Sequence, residues 1–296
     1  MPNDADVIQI GPELKVRRLG FGTIHVTERR GFGRPRADAP ALLKAAVAAG
    51  VNFFDTADSY GPGHAEDVIR QTLHPYRGLV IATKGGYEHA PEETWRVNGR
   101  PEHLRRALEG SLKRLGVDRI ELYQLHVPDP EVPYEDSLGA LKELQQAGKI
   151  RSIGVSRVNA EQLRQARGVL GDLLVSVQNC YNVFYHQGFS AEGEGDNEEI
   201  LDTCEREALA FIAWAPLAEG ALEGSPFDRG ELLRLADKYQ ATPRQIMLAA
   251  LLKRSPSIIA IPGTSSLPHL ADNLAAARLR LDDADEYPLW GWMRPV

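Results

Sequence analysis

The segment PEHLRRALEGSLKRLGVDRIELYQLH, residues 101–126, contains the pattern that decides the fold. Its first part sets Leu104, Leu108, Ser111, Leu112 and Leu115 at helical spacing. Pro101 stands near the start, where a missing N–H costs nothing, and Gly116 stands at the close. The periodicity then breaks. ELYQL, residues 121–125, is a compact apolar run ending on a titratable residue, His126. Such a run suits a strand buried on both faces of a parallel sheet.

Seven more runs of this kind lie outward from it, at 18–22, 52–55, 79–83, 152–155, 174–178, 210–214 and 258–262. Helical periodicity fills the gaps at 42–49, 66–73, 137–147, 161–166, 198–208, 231–239 and 243–252. Eight strands alternating with eight helices, with no linker, is the count for one α/β domain over residues 1–296, a single (β/α)8 TIM barrel. A doubly wound open sheet is the alternative. Ahead of the first strand, 7–10 and 14–16 flank Gly11-Pro12 and read as an N-terminal β-hairpin able to plug the barrel bottom. Three stretches read as loops over the opposite, catalytic face: 23–36, 85–100 and 184–197, the last acidic and Gly-rich.

Composition narrows the function classes. The net charge is −7 and the isoelectric point about 5.7, with Lys and Arg interspersed among acids. This argues against nucleic acid as a partner. Cys180 and Cys204 are the only cysteines. They form no metal-site or disulfide pattern, so no metal is expected. The first residues lack a basic segment followed by an apolar one, and no apolar run approaches the ~20 residues of a membrane span. A cytoplasmic, non-membrane protein is expected, and a monomer, because no apolar interface is marked.

Chemistry-bearing residues gather where strands end. Asp55 closes the second strand, with Tyr60 five residues on; Lys84 follows the third and His126 the fourth. Each residue alone has an ordinary structural explanation: a cap, a solvated amine, a satisfied core phenol. Together, at adjacent strand ends of a barrel, they form a proton-transfer set. A phenol with an ordinary pKa of ~10 holds a proton for a developing alkoxide. An ammonium beside it lowers that pKa, a carboxylate fixes the ammonium, and an imidazole orients a carbonyl. A hydride must then come from a cofactor.

FFDTADSYG (53–61), Lys84 after VIAT and His126 after YQL resemble the catalytic tetrad of the aldo-keto reductases, and the likeness runs from GFGT (20–23) to the C-terminal helices. That family reduces aldehydes and ketones on a (β/α)8 barrel with NADPH or NADH. The resemblance implies catalytic roles for Asp55, Tyr60, Lys84 and His126. It also implies a cofactor site that includes Gly22, Thr23 and Asp55. Ser156 in IGVS and Gln178 in VQNCYN would hold the nicotinamide amide. Trp214 in WAPLAEG would stack on its ring, with Pro216 and Leu217 following. Gly263, Thr264 and Ser265 would hold phosphate, with His269 nearby, and Asn273 with Asp272 would face the adenine.

Two departures bear on the cofactor. Arg157 stands where most members carry Asn, and a Ser-Arg pair resembles the branch that includes potassium-channel β subunits, whose implied role is cofactor-binding and regulatory. Gly263 and His269 stand where many NADPH-preferring members carry Lys and Arg, so NADPH is expected with NADH as the alternative. IPGTSS-x-x-HL, YGP and LHPY most resemble bacterial pyridoxal reductase-like members, which makes pyridoxal a candidate among small-molecule carbonyl substrates. Trp95, Trp290 and Trp292 either line the substrate pocket or pack on the surface. A barrel lyase using Lys84 as a Schiff base is a further alternative.

Overall fold

The computed structural model describes residues 6–90, 94–186, 197–218 and 230–290. Two short antiparallel strands come first, β1 (Val7–Ile10) and β2 (Leu14–Arg17). The parallel strands are β3 (Phe21–Gly22), β4 (Phe53–Asp55), β5 (Val80–Gly85), β8 (Ile120–Leu125), β9 (Ile150–Ser156), β10 (Leu174–Cys180), β11 (Ala210–Trp214) and β12 (Ile258–Ala260). They lie side by side in chain order. Closure joins last to first: the Gly20 N–H donates to the Ala260 carbonyl at 2.9 Å, and the Ala260 N–H donates to the Arg18 carbonyl at 2.8 Å. The predicted barrel is therefore the observed one.

Ten α-helices lie among the described residues: α1 (Ala39–Ala48), α2 (His64–Leu73), α3 (Pro101–Leu115), α4 (Tyr134–Gln146), α5 (Ala160–Leu170), α6 (Asn197–Arg206), α7 (Gly230–Lys238), α8 (Pro243–Arg254), α9 (Leu267–Ala275) and α10 (Asp283–Leu289). In α3 the buried face is Leu104, Leu108, Ser111, Leu112 and Leu115, and Gly116 closes the helix at φ +71°. There a residue without Cβ takes the left-handed conformation at no steric cost. Capping boxes open α5 (Asn159 with Gln162) and α8 (Thr242 with Gln245), satisfying N–H groups that the first turn leaves unpaired.

The expected pairing of eight helices with eight strands needs one correction. α7 and α8 both lie between β11 and β12, and the helix that follows β12 is α9, which the resemblance implies as the helix entered from the phosphate-holding turn but which is absent from the periodic segments. Short length and two prolines near α10 and α9 hide both terminal helices from a periodicity reading.

The hairpin does plug one end of the barrel. Ile10, Leu14 and Val16 are buried against inward-facing Phe53, Val80, Leu122, Ile212 and Ile259. At Gly11 (φ +56°) a Cβ would lie 2.7 Å from Val175 Cγ1, so the turn sits directly on the start of β10. A second hairpin replaces part of the predicted loop 85–100. β6 (Tyr87–Ala90) and β7 (Thr94–Val97) pair antiparallel, with His89 opposite Trp95. Its two faces alternate: Tyr87 is buried, while Glu88 pairs with Arg96 on the solvent side. No helix among the described residues is long and apolar enough to cross a membrane.

Candidate active site

The site is built at the ends of β4, β5 and β8. Neighbouring strands align Asp55 with Ala82 and Lys84 with Gln124, so the polar ends emerge side by side. Tyr60 follows β4 on a turn, and Gly61 (φ +70°) lets that turn pass close to the loop 23–36; a Cβ there would lie 2.6 Å from the Gly33 carbonyl oxygen. Lys84 Nζ donates to Asp55 Oδ1 at 2.5 Å and to the Thr56 carbonyl at 2.9 Å. Asp55 Oδ2 accepts from Gln178 Nε2 at 2.8 Å and from Gln124 Nε2 at 3.1 Å. The pair is buried, so its charges are held by each other and by these bonds instead of water. Lys84 Nζ lies 5.5 Å from the Tyr60 ring centroid, and the Tyr60 and His126 rings are 6.1 Å apart. All four predicted catalytic residues thus meet in one place.

Burial sets their protonation. For Tyr60 it pushes the phenol above its ordinary range, and the nearby Lys84 charge only partly offsets this. The net direction is therefore opposite to the lowering expected from the ammonium alone. For Lys84, burial works downward, but the Asp55 carboxylate and Tyr60 outweigh it and hold the ammonium charged. His126 is driven well below the usual imidazole range by burial, with the Lys84 and Arg157 charges adding to it. It is neutral at physiological pH.

The expected cofactor residues line the same end of the barrel. Gly22 faces Gly263 where the first and last strands meet, and a Cβ on Gly22 would lie 2.7 Å from the Ile261 carbonyl oxygen. Thr23 is fixed by two bonds, its N–H and Oγ1 each donating to the Asp55 carbonyl at 2.9 Å. Ser156 Oγ donates to the Gln178 carbonyl at 2.8 Å. The Gln178 amide nitrogen is engaged by Asp55 and by Gln124 Oε1 at 3.2 Å. Arg157 takes φ +55°, and its guanidinium carbon stands 4.7 Å from the Trp214 ring centroid, over the indole. Pro216 is buried beyond Trp214 and Leu217 is half-buried; Glu219 and Gly220 of the WAPLAEG segment lie outside the described residues.

On the far side, Thr264 is buried and Ser265 exposed, and Ser266 caps α9 by accepting from the His269 N–H. Asn273 is buried, with no partner for Oδ1. Asp272 does not join it: its carboxylate accepts from Thr242 Oγ1 at 3.0 Å and Gln245 Nε2 at 2.8 Å, and so ties α9 to the start of α8.

Above Tyr60 stands an aromatic wall. Phe32 stacks on Trp95 with centroids 4.7 Å apart, Tyr87 lies 5.9 Å from Trp95, and Tyr87 meets His126 edge-on at 4.7 Å. Trp95 is thus beside the site. Trp290 is not part of this wall: it is buried between Tyr181 and His186, and Trp292 lies outside the described residues. The sequence reading missed Gln124, Phe32 and Tyr87. Gln124 had a signal: counting back by two from His126 places it on the same inward face.

The aldo/keto reductase family model matches residues 18–287. The chain belongs to the aldo/keto reductase family. Within it, the chain is 38% identical over 282 residues to an uncharacterised oxidoreductase of Schizosaccharomyces pombe, covering 94% of this chain and 87% of the relative. It is 35% identical over 277 residues to the pyridoxine 4-dehydrogenase of Escherichia coli, covering 90% and 92%. An aldo/keto reductase from Klebsiella pneumoniae, solved with NADP and acetate, superposes with a TM-score of 0.80 at 26% identity, covering 98% of this chain and 97% of that one. The chain is therefore an oxidoreductase of this family, on the family's barrel.

Proposed function

We propose that the chain, as one catalytic domain over residues 1–296, reduces the carbonyl of a small aldehyde or ketone with NADPH, Tyr60 serving as general acid. The observation that carries this reading is the buried set of Asp55, Lys84, Tyr60 and His126 at one mouth of the barrel, with Lys84 held charged beside the phenol.

A nicotinamide dinucleotide fits the residues present. Trp214 Nε1 near the tetrad and Asn273 Oδ1 on α9 are both buried without a hydrogen-bond partner, at the two ends of the path such a molecule would span. Gly22, Thr23, Asp55, Ser156, Arg157, Gln178, Trp214, Pro216 and Leu217 would hold the nicotinamide half. Gly263, Thr264, Ser265, His269 and Asn273 would hold the adenosine half. NADPH, when bound, supplies the hydride. NADP in the Klebsiella structure supports this choice over NADH.

Tyr60 keeps its proton through the neutral range and gives it to the alkoxide oxygen as it forms. Lys84, anchored by Asp55, places a full positive charge beside the phenolate left behind. His126, neutral, offers a ring N–H to the carbonyl oxygen without competing for the proton. The wall of Phe32, Trp95 and Tyr87 suits a flat ring, and together with the pyridoxine dehydrogenase relative it favours pyridoxal as substrate.

The test is NADPH oxidation with pyridoxal and with 4-nitrobenzaldehyde, in the wild type and in Tyr60→Phe. The variant should lose about 10²–10⁴-fold in kcat while binding NADPH as the wild type does. Wild-type turnover by the variant would overturn the role of Tyr60. Tight NADPH binding with no turnover of either aldehyde would favour instead a regulatory subunit of the kind the Ser156-Arg157 pair resembles.

A further inference from the structure

Behind the tetrad, on the outward side of β5, lies a buried charge that the proton transfer does not use. Glu66, in the first turn of α2, is fully buried. Its Oε1 accepts from Thr83 Oγ1 at 2.6 Å and its Oε2 from Arg114 Nε at 2.6 Å. Thr83 directly precedes Lys84 on β5, so the two side chains leave opposite faces of the strand, Lys84 towards the site and Thr83 away from it. Arg114 reaches Glu66 from the last turn of α3. Room is kept for it: a Cβ on Gly63 would lie 2.5 Å from Arg114 Cδ, and one on Gly110 would lie 2.8 Å from Nη1. Ser111, the polar member of the buried face of α3, accepts from Arg114 Nη2 at 3.4 Å. Asp58 and Asp67 lie in the field of the same guanidinium. Burial, with the Glu66 charge adding to it, pushes the Asp58 carboxyl well above the usual carboxylate range. Glu66 is the carboxylate that Arg114 grips.

The turn that bears Tyr60 runs between these groups. The Asp58 N–H donates to the Lys84 carbonyl at 3.1 Å, the Gly63 N–H to the Asp58 carbonyl at 2.7 Å, and the Ala65 N–H to the Tyr60 carbonyl at 3.1 Å. Turn and strand are thus joined twice at neighbouring residues of β5, by backbone at Lys84 and by the Glu66 carboxylate at Thr83. A buried carboxylate stripped of its cation is an uncompensated charge, so Glu66 keeps this place only while Arg114 answers it.

We propose that Arg114 is a positioning residue for the reduction: through Glu66 it staples the turn bearing Tyr60 to the strand bearing Lys84, and so sets the separation of phenol and ammonium. This rests on the general-acid reading above. Arg114 touches neither substrate nor cofactor; it acts on the geometry of the two groups that move and stabilise the proton.

The experiment compares the wild type with Arg114→Met/Glu66→Gln, which removes both charges together, with Thr83→Val, which removes the strand end of the staple, and with Arg114→Lys. Thermal unfolding and NADPH titration report on the fold and the cofactor site. Steady-state reduction of 4-nitrobenzaldehyde across pH gives kcat, KM and the alkaline limb. The double variant should bind NADPH and show KM within about twofold of the wild type, with kcat lower by about 10- to 100-fold. Its alkaline limb should move to higher pH, because an ammonium held farther away stabilises the phenolate less. Thr83→Val should change both in the same direction, less strongly. Arg114→Lys, which keeps a cation for Glu66, should return kcat to within about threefold of the wild type. An unmoved limb, or kcat unchanged in the folded double variant and in Thr83→Val, would overturn the proposal. Loss of NADPH affinity in step with kcat would overturn it too, reducing the pair to a support of the fold. Wild-type turnover by Tyr60→Phe, measured alongside, would instead bring down the general-acid reading, and the staple's role with it.

Discussion

Tyr60 illustrates how one residue's chemistry depends on which physical effect is larger. The ammonium of Lys84 stabilises a phenolate, yet removing the phenol from water stabilises the neutral form more, and the net shift is upward. His126 is shifted the other way, so it carries no charge near neutrality. The sign of each shift fixes a pH profile. Reduction needs Tyr60 protonated, so kcat should stay level across about pH 6 to 9 and fall only as pH rises through the elevated phenol range above about 10. Because the His126 pKa is depressed, no limb should appear near the ordinary imidazole value of about 6.5. A bell-shaped profile centred near neutrality would show that His126 titrates as the acid, contrary to the assignment. The identities of these residues were legible in the sequence; the direction of the Tyr60 shift was not, because it depends on how completely the surrounding elements exclude water.

At the scale of elements, the strands were read well because each is a short apolar run, and the helices because their buried faces repeat. Elements without either signal were missed. The stretch 85–100 mixes His, Glu, Arg, Asn and Gly, yet β6 and β7 pair because their alternate residues face the site on one side and solvent on the other. That hairpin carries Trp95 to within 6.1 Å of the Tyr60 ring centroid and packs it on Phe32 and on Gly31 (φ +89°), where a Cβ would lie 2.7 Å from Trp95 Cζ2. Two separate loops are thereby joined over the mouth of the barrel. Trp95→Ala should raise KM for aromatic aldehydes by about tenfold, with a much smaller effect on a short aliphatic aldehyde, since the lost contact is an aromatic face. Equal losses for both substrate types in steady-state assays would reduce Trp95 to a structural support for the hairpin. The acidic segment's residues 187–196 lie outside the described residues.

For the whole molecule, the inward-facing positions divide the barrel into two layers. Along β5 they run Val80, Ala82, Lys84; along β8, Leu122, Gln124 and then His126; along β11, Ala210, Ile212, Trp214. The first residues of each series meet the apolar hairpin plug, and the last face the site. In β10 a bulge between Leu174 and Ser176 resets this alternation, so that Val175 packs on the plug while Gln178 reaches Asp55. Arg18, just ahead of β3, fastens the first barrel strand to α8 and β12, donating to the carbonyls of Ile258 at 3.0 Å and Leu252 at 2.7 Å. Chemistry and stability are therefore spatially separated. Ile10→Ala, in the plug, should cost about 2–4 kcal/mol in denaturant unfolding while leaving KM and NADPH affinity unchanged. A changed KM would mean that the two layers are mechanically coupled.

By itself the sequence determined the alternation of strands and helices, hence the barrel, and the residues standing at strand ends, hence the candidate tetrad. Both follow from local regularities: the period of burial and the point where an apolar run stops. Tertiary structure alone decided which residues meet across the sheet and between helices. Gln124 and Gln178 converge on Asp55 from strands 69 and 123 residues away along the chain. Trp290 packs into the core while Trp95 reaches the site, and Arg244 comes to stand beside His269 from another helix. Such contacts depend on register and closure, which join distant positions whose local sequence carries no trace of the partner.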